Sequence, residues 1–343
     1  MINQNVSDVF SRLIGEMNKV VIGYADIKRL SIAALLADQH VLLEGLPGTA
    51  KSLFVEVFQR AVSDSQAVRI QMTADVKPMD LVGVKVYNPS TGRFDFEEGP
   101  MIGKNFVLVD EINRAPGKTL SAVLSGMQER RIYISGREFA LPDPYFVMAT
   151  QNPIEQEGVY PLPEAAVDRF GGKLIVPYAT AEEEEAILSN EALDERDPQN
   201  VVQPVVSVKQ IVELRQAIKK GVFVSPAAKQ YIVALVRATR PDLAEHADVA
   251  KQDGGFKDMI EVGSSVRGQL ALRGFARVLA AVKGRAYVLP EDVQEVALPV
   301  LRHRVALKFE AAADGKTSDQ AVASIVKHVK FSKADDQYVP VAA

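Results

Sequence analysis

The sequence predicts an α/β fold, with a parallel sheet between helices, followed by a small all-helical domain. Apolar, strand-like runs at 41–43, 106–109 and 145–150 alternate with segments of helical periodicity. The first run leads into a glycine-containing loop and then a helix, which is typical of a parallel α/β unit. Residues 205–310 show helical periods only, and they predict the second domain.

Two helices are predicted before the first strand. Residues 7–20 place apolar side chains at the i, i+3, i+4 and i+7 positions of an amphipathic helix, with Ser7 or Asp8 as its N-terminal cap. A second helix is expected from about residue 25 to 37, and the strand at 41–43 follows it.

The segment from Gly45 to Ser52 predicts a phosphate-binding loop. It follows a strand, contains Gly45 and Gly48, and ends in Lys51 and Ser52 at the start of a helix. A loop that leads into a helix N-terminus directs several N–H groups at one point, which suits an anion. Lys51 would reach the β- and γ-phosphates of a nucleotide, and the Ser52 hydroxyl would bind Mg²⁺.

The full loop pattern has glycine before the lysine, where this chain has Ala50. A methyl group fits at that position if the φ angle of Ala50 is negative, as in a first helical turn. The alternative is an ordinary glycine- and proline-containing connection that carries a surface lysine.

Two adjacent acids, Asp110 and Glu111, end the second apolar run. Charges at the end of a buried strand need partners, and open α/β sheets bind their ligands at the carboxyl ends of strands. Asp110 would hold Mg²⁺, directly or through water, and Glu111 would orient or deprotonate an attacking water molecule. The alternative is a strand that simply enters a charged loop.

Two β-hairpins are predicted within the first domain, on either side of a helix at 116–128. The first covers 87–94 with a proline- and glycine-containing turn, and the second pairs 132–134 with 138–141 across Ser135 and Gly136. A further strand at 68–72 precedes both hairpins.

The strand at 145–150 ends in Gln151, Asn152 and Pro153. An amide just beyond a core strand can hydrogen-bond to a γ-phosphate or to the water that attacks it, and Asn152 is our candidate. An asparagine before a proline is otherwise a common turn former.

A last strand is expected at 173–176, and Thr180 with Glu183 predicts a capping box that opens the next helix. The acidic run at 182–185 lies at that helix N-terminus, where the helix dipole favours negative charge. We interpret this run as structural.

The helical domain contains several predicted helices and one predicted mobile loop at 241–260, which is polar and contains two adjacent glycines. The helices are expected at 207–221, 225–237, 265–283 and from Pro290 onward, with one short helix near 321–328 in the tail.

Composition narrows the possible functions. The 343 residues favour two domains, and 47% hydrophobic with 24% charged residues is typical of a globular protein. The net charge of −4 gives no whole-chain reason to bind nucleic acid or an anionic membrane. There is no cysteine, the four histidines lack metal-site spacing, and no apolar run approaches 18 residues. We therefore expect a soluble, cytoplasmic protein without a membrane insertion.

Several segments together resemble the MoxR family of AAA+ ATPases, and the resemblance covers about residues 6–312. The most specific are the run Asp-Glu-Ile-Asn-Arg-Ala-Pro from Asp110 and the run Ala-Thr-Gln-Asn-Pro from Ala149. Segments 45–52, 160–170 and 263–268 also match. The two hairpins resemble the helix-2 and pre-sensor insertions that this family shares with magnesium-chelatase and MCM-type relatives.

The resemblance implies a role for each matching residue. Lys51 is similar to the Walker A lysine, Asp110 and Glu111 to the Walker B pair, and Asn152 to sensor 1. Arg169 looks like the arginine finger that reaches a neighbouring subunit, and Arg267 like the sensor 2 arginine of the lid. The implied catalytic residues are Lys51, Glu111, Asn152 and Arg169; the implied metal ligands are Ser52 and Asp110; the implied nucleotide-binding residues are Val21, Ile22, Gly45, Pro47, Gly48, Thr49, Ala50, Lys51, Ser52, Leu53, Asp110 and Arg267.

The chain departs from the family pattern near the base pocket and at the lid arginine. The resemblance implies that residues 20–23 line the adenine pocket, and Tyr24, directly after them, replaces a glutamine that is common in the family. Val266 and Gly268 replace the usual proline and alanine on either side of Arg267. A glycine near the first turn could loosen that helix by up to about 1 kcal/mol relative to alanine.

The resemblance implies an ATPase that uses Mg²⁺, with an AAA+ α/β domain at 1–190, a helical lid at 205–312 and a C-terminal extension at 313–343. It further implies a hexameric ring and chaperone-like remodelling of partner complexes, with von Willebrand factor A domain proteins as partners. Two alternatives remain open: a nucleotide-gated scaffold, in which turnover is incidental, and an MCM-like nucleic-acid motor, against which the negative charge counts.

Overall fold

The computed structural model describes residues 2–46, 48–134, 136–153, 162–241 and 256–331. Pro47, Ser135, most of the predicted loop at 241–260 and the end of the tail lie outside the described residues, as do residues 160–161 of one family-like segment. The chain divides into two compact units: Val9–Phe170 with Leu174–Glu213, and Met1–Asp8 with Gly171–Lys173 and Leu214–Ala343. Within the described ranges, no helix is both long enough and apolar enough to cross a membrane.

The first unit is built around a parallel sheet. Up to residue 207 the strands are β1 (Val41–Gly45), β2 (Val62–Ser63), β3 (Ala67–Gln71), β4 (Gly83–Asn88), β5 (Arg93–Glu98), β6 (Phe106–Asp110), β7 (Arg131–Ile134), β8 (Arg137–Ala140), β9 (Phe146–Gln151), β10 (Gly172–Val176) and β11 (Val206–Ser207). The five-stranded sheet has the order β10-β1-β9-β6-β3, and β1, β9, β6 and β3 pair in parallel. This arrangement confirms the predicted α/β fold class.

Seven α-helices accompany these strands among the described residues. Up to residue 188 they are α1 (Ile2–Asn18), α2 (Ala25–Leu36), α3 (Lys51–Arg60), α4 (Pro78–Val82), α5 (Gly117–Glu129), α6 (Glu164–Val167) and α7 (Ala181–Leu188). Helices α2, α3, α5 and α7 begin close to where the sequence predicts, and the short helices α4 and α6 were not predicted. Helix α1 begins at Ile2, so the prediction that Ser7 or Asp8 caps it is wrong; both residues lie inside the helix. The capping box of Thr180 and Glu183 at α7 is confirmed.

Both predicted hairpins are present. β4 and β5 pair antiparallel from Gly83–Glu98 to Asn88–Arg93, and β7 and β8 pair from Arg131–Ala140 to Ile134–Arg137. The two hairpins also contact each other, because the rings of Phe96 and Phe139 stack with their centroids 4.6 Å apart.

An aromatic cluster fixes α3 against the sheet. Phe58 lies 6.2 Å from the ring of Phe106 on β6 and 5.8 Å from the ring of Phe146 on β9, and Phe54 stacks on Phe58 at 6.5 Å. All four side chains are buried. Aromatic pairs of this kind contribute about 0.5–1.5 kcal/mol each beyond their buried area. The cluster therefore sets the position of α3, whose first two residues, Lys51 and Ser52, are the last two of the predicted phosphate-binding loop.

Buried His40 links β1 to its neighbours. Its Nδ1 accepts the Val147 N–H at 3.1 Å, and its Nε2 lies 3.1 Å from the Met127 carbonyl oxygen. Because Nδ1 accepts, Nε2 carries the proton and donates to Met127. This histidine is a structural hydrogen-bonding group.

The second unit is mainly helical. From residue 208 on the helices are α8 (Val208–Gly221), α9 (Pro226–Ala238), α10 (Val266–Val282), α11 (Pro290–Leu301), α12 (Phe309–Ala313) and α13 (Ser318–His328). The short strands are β12 (Phe223–Val224), β13 (Ile260–Val262), β14 (Tyr287–Val288) and β15 (Ala306–Leu307). β12 pairs with β14 and β13 with β15, so the expectation of helices alone missed two short strand pairs.

A buried carboxylate stabilises the second unit. Asp292, at the start of α11, accepts hydrogen bonds from Arg285 at 2.5 and 2.7 Å, from Lys283 at 3.0 Å and from the Leu289 N–H at 2.9 Å. Burial alone would raise the pKa of Asp292, but the hydrogen bonds from Arg285, the Leu289 N–H and Lys283 outweigh it, and the pKa lies below its usual value. The folded unit therefore favours ionised Asp292.

Replacing Asp292 with asparagine should lower the free energy of unfolding by about 3–5 kcal/mol at pH 7, because Lys283 and Arg285 lose their buried counter-charge. Since the folded pKa is depressed, this contribution is present above the carboxyl's ordinary pKa and is lost as pH falls through the folded value. Urea denaturation at pH 7 and near pH 3 measures both effects. Glu295→Gln, at a partly exposed partner of Lys283, is the control and should cost less than about 1 kcal/mol; equal losses in the two variants would contradict the expectation.

Candidate functional site

Polar residues from three strands meet at the carboxyl edge of the parallel sheet. Thr150 of β9 pairs in register with Leu43 of β1, and Asp110 of β6 pairs with Gln71 of β3. A cavity of about 310 Å³ lies at this edge. It is lined by Gly48, Thr49, Ala50, Lys51, Ser52, Leu53, Asp110, Glu111, Thr150, Gln151 and Asn152.

The loop between β1 and α3 has a demanding backbone. A side chain at Gly45 would lie 2.7 Å from the Val176 carbonyl oxygen, so the two strands approach too closely for any other residue. Gly48 has a φ of +81°. Ala50 has a φ of +52°, so the condition of a negative φ is not met: α3 begins at Lys51, and Ala50 is the residue before it in a left-handed conformation. That conformation costs a non-glycine residue about 1–2 kcal/mol, which explains why the general pattern has glycine there.

The Lys51 ammonium lies within this loop. It donates hydrogen bonds to the carbonyl oxygens of Gly45 at 2.8 Å and Leu46 at 2.6 Å, and it lies 3.3 Å from the Thr49 hydroxyl. Burial lowers the pKa of Lys51, and the charges of Asp110 and Glu111 oppose this shift. A partly buried ammonium in this loop is well suited to binding a polyphosphate.

Asp110 is buried and surrounded by donors. Ser52 donates its hydroxyl to Asp110 Oδ2 at 2.8 Å, Arg69 donates to the same oxygen at 2.8 Å, and Thr150 donates a short hydrogen bond to Oδ1. Burial would raise the pKa of Asp110, but the hydrogen bonds from Thr150, Ser52 and Arg69 outweigh it and hold the pKa below its usual value. The site therefore contains a carboxylate that stays ionised at neutral pH.

Glu111 follows in a left-handed conformation with a φ of +53°. Its N–H donates to the Thr150 hydroxyl at 3.0 Å, and its carboxylate forms a 2.7 Å ion pair with Nε of Arg114. Backbone conformations of this kind, in a residue other than glycine, are concentrated at functional sites. The turn places Glu111 on the lining of the cavity, directly after Asp110.

Asn152 also lines the cavity, beyond the end of β9. Its carbonyl oxygen accepts a hydrogen bond from the side-chain amide of Asn113 at 3.1 Å. The neighbouring Gln151 donates a short hydrogen bond to Glu44 of β1. The Asn113 contact ties the segment after β9 to the segment after β6, and Asn152 and Glu111 line the same cavity.

The donor set suits magnesium. The Ser52 hydroxyl and the Asp110 carboxylate lie side by side, and Mg²⁺ is usually held by one or two carboxylates together with waters and substrate phosphates. Among the described residues there is no group of three or more histidine, cysteine or acidic side chains that could hold a metal without such help. The residues present fit a metal that arrives with a phosphate ligand.

A second, apolar cavity adjoins the loop. Val21, Tyr24, Leu43 and Val176 are among its lining residues, whereas Ile22 is not among the described side chains that line it. Its volume of about 10 Å³ is room for a single water molecule, so a base enters only if side chains shift. Tyr24, in a left-handed conformation before α2, contributes its side chain directly to this wall.

The two candidate arginines lie outside the described lining of the larger cavity. Arg169 is half-buried and donates to the Gln128 side chain and to the Ala165 carbonyl oxygen, both at 3.0 Å. Arg267 is exposed in the first turn of α10, in the second unit, where its N–H donates to the Ser265 hydroxyl at 3.1 Å.

Gly268 has a packing role that the sequence did not reveal. A methyl group at this position would collide with the hydroxyl of Ser264 and come within 3.3 Å of Arg304. The buried side chain of Ser264 occupies the space that the methyl group of an alanine at position 268 would need, and this explains the glycine.

Sequence reasoning missed Thr150 and Arg69. Thr150 supports both members of the acidic pair, since it donates to Asp110 and accepts from the Glu111 N–H. The sequence did offer a sign of this role, because Thr150 ends a predicted core strand and directly precedes Gln151 and Asn152. Arg69, a charged residue within a predicted strand, carried a similar signal.

Comparisons with known proteins agree with this geometry. Residues 40–171 match the ATPase family associated with various cellular activities (AAA), and residues 256–325 match the AAA lid domain. The chain is 42% identical to the chaperone MoxR1 of Mycobacterium tuberculosis, over 94% of this chain and 82% of that protein. It is 31% identical to protein MoxR of Paracoccus denitrificans, over 89% of this chain and 91% of the relative. A crystal structure of a Cytophaga hutchinsonii protein assigned as an ATPase superposes with a TM-score of 0.85 at 36% identity, covering 97% of both chains.

Proposed function

Because this chain belongs to the MoxR family of AAA ATPases, we propose that it hydrolyses ATP with Mg²⁺ and uses the energy to remodel partner protein complexes. One observation supports this most strongly: Lys51, Ser52 and the pair Asp110–Glu111 line a single cavity of about 310 Å³. The cavity is large enough for a polyphosphate, and its lining residues supply a cation, three hydroxyls and two carboxylates.

Each residue has a role in this proposal. Lys51 turns from the loop carbonyls to the β- and γ-phosphates, and the loop N–H groups bind the same phosphates. Ser52 and Asp110 would hold Mg²⁺, which would neutralise charge that develops on the phosphate oxygens. Glu111 leaves its ion pair with Arg114 and accepts a hydrogen bond from the attacking water, which it orients and deprotonates. The Asn152 amide contacts the γ-phosphate or that water.

Val21 and Ile22, with Tyr24, are proposed to contact the adenine base. Lys28 supports this segment, because its buried ammonium donates to the Val21 carbonyl oxygen and to the Asn18 side chain, both at 2.6 Å. Burial lowers the pKa of Lys28 to about 8, and the nearby charge of Glu183 opposes this shift.

We further propose that the working form is a hexameric ring. Arg169 is not among the described residues that line its own chain's cavity. This is expected of a residue that completes the site of a neighbouring subunit. In the same scheme Arg267 responds to the nucleotide from the lid. An arginine supplied by a neighbour makes the rate per subunit depend on assembly, so specific activity should rise with protein concentration.

The client proteins are proposed from the family. A relative bears the name chaperone, and we propose a chaperone-like action on complexes that include von Willebrand factor A domain proteins. A nucleotide-gated scaffold would release its client on ATP binding alone, whereas a remodelling ATPase would release it only with hydrolysis. A nucleic-acid motor would be stimulated by single-stranded DNA.

The direct test is ATP turnover by the purified full chain, measured against protein concentration with Mg²⁺ and with EDTA. We expect turnover that requires Mg²⁺ and rises per subunit as concentration increases. Calorimetry with Mg²⁺ and ATP should detect binding. Absence of both binding and turnover would rule out the proposed function.

Replacing Lys51 with alanine should weaken ATP binding by about 10- to 100-fold, because hydrogen bonds to charged groups contribute about 1.5–3 kcal/mol. Titration of a fluorescent ATP analogue measures the change. Lys118→Ala, at an exposed lysine of α5, is the matched control and should bind normally. Equal affinity in the Lys51→Ala variant and the unmodified protein would place the phosphates elsewhere.

A further inference from the structure

Arg69 contacts both side chains that are proposed to hold the metal. It projects from β3, next to β6, and its Nη2 lies 2.8 Å from Asp110 Oδ2 and 3.3 Å from the Ser52 hydroxyl oxygen. Ser52 donates to that same Oδ2 atom, so one small cluster contains the hydroxyl, the carboxylate and the guanidinium. Arg69 therefore provides Asp110 with a positive partner at the place where a divalent cation would bind.

A second carboxylate lies within reach of the same guanidinium. Nη1 of Arg69 is 3.4 Å from Glu56 on α3, one helical turn beyond Ser52. The Arg69 side chain is 50% exposed and Glu56 is 37% exposed, whereas Asp110 is only 10% exposed. Arg69 thus lies between a buried carboxylate and a solvated one, with room to move toward the second.

We propose that Arg69 is a positioning residue that competes with Mg²⁺ for Asp110 and Ser52 and moves toward Glu56 when the metal binds. The inference rests on the proposed function, since it concerns the same metal site. Two cations at one carboxylate oxygen repel each other, and a buried carboxylate without any cation is costly. Arg69 holds the Asp110 carboxylate in place through this contact, and in doing so it lowers the site's affinity for metal.

The experiment compares the affinity of a fluorescent ADP for the full chain in Mg²⁺ and in EDTA. ADP is used because it is not turned over. The dissociation constant in EDTA divided by the dissociation constant in Mg²⁺ gives a ratio that reports how much the metal contributes to binding. A general effect of a substitution on the nucleotide site cancels from this ratio. The variants are Arg69→Gln and Glu56→Gln, with Arg60→Gln, an exposed arginine at the end of α3, as the charge-matched control.

We expect the ratio to rise about three- to tenfold in Arg69→Gln, because the metal no longer displaces a guanidinium. Glu56→Gln should lower the ratio, because Arg69 loses its alternative partner. Arg60→Gln should change it less than about twofold, since an exposed charge without these contacts acts only through a screened field. Thermal melting provides a second readout: Arg69→Gln should melt lower than the unmodified protein in EDTA, and the difference should shrink in Mg²⁺ and ADP.

An unchanged or lower ratio in Arg69→Gln, with normal Mg²⁺ dependence of the unmodified protein, would overturn this inference alone. An equal shift in Arg60→Gln would also overturn it, by assigning the effect to net charge. Failure of the unmodified protein to bind ADP, or to respond to Mg²⁺, would contradict the proposed function and this inference with it.

Discussion

Replacing Glu111 with glutamine should slow ATP hydrolysis by about 10²- to 10⁴-fold, the usual contribution of a positioned general base. The side chains have nearly the same size, but the amide cannot accept the proton of the attacking water. Because Lys51, Ser52 and Asp110 remain in place, ATP affinity should change by less than about threefold, or less than 1 kcal/mol.

Single-turnover hydrolysis and equilibrium binding of the Glu111→Gln variant separate the two effects. Glu129→Gln, at an exposed residue of α5, is the matched control and should hydrolyse ATP at the normal rate. The lost ion pair with Arg114 is partly exposed on both sides, so stability should fall by less than about 1 kcal/mol. Normal hydrolysis by Glu111→Gln would remove this residue from the mechanism.

The same variant should also stabilise the ATP-bound form with its client. A pull-down with Glu111→Gln and ATP should enrich a partner that the unmodified protein releases during turnover. Equal recovery from both proteins would favour the nucleotide-gated scaffold, because release would then not depend on hydrolysis.

Local patterns predicted the strands, loop and helix around the candidate site well, because each signal lies within a few positions of the chain. The run that ends in Asp110 and Glu111 became β6, with both acids at the carboxyl edge of the sheet. The strand, loop and helix around Lys51 were likewise readable from apolar periodicity and turn residues. The roles assigned to these residues stay predictions until the variants are measured.

What the sequence could not reveal depends on contacts between distant segments. Thr150 and Arg69 meet Asp110 only because β9 and β3 flank β6, and strand order is not encoded in any local pattern. The two-residue strands β12 and β14 are too short for a periodic signal, and they exist because the fold brings Phe223 beside Tyr287. Ala50 has a positive φ because α3 begins one residue later, at Lys51. Local patterns do not fix a helix boundary to within one residue.

Replacing Arg169 with alanine should reduce hydrolysis by about 10³- to 10⁵-fold if it completes the site of a neighbouring subunit, as arginine fingers do. ATP binding by the variant should persist, because Arg169 is absent from the described lining of its own cavity. The structural alternative is that Arg169 only supports its own chain through Gln128 and Ala165. Gln128→Ala is therefore the matched control: it removes the same side-chain contact and leaves the arginine, so it should retain most activity.

Mixing distinguishes action between subunits from action within one. The Arg169→Ala variant keeps an intact phosphate loop, and the Lys51→Ala variant keeps an intact Arg169. In rings that assemble at random from equal amounts, about one interface in four pairs the two intact halves. At an ATP concentration too low to saturate the Lys51→Ala variant, the mixture should therefore turn over ATP faster than either variant alone. Absence of recovery at every ratio, with mixed rings present by native mass spectrometry, would show that Arg169 does not act across subunits.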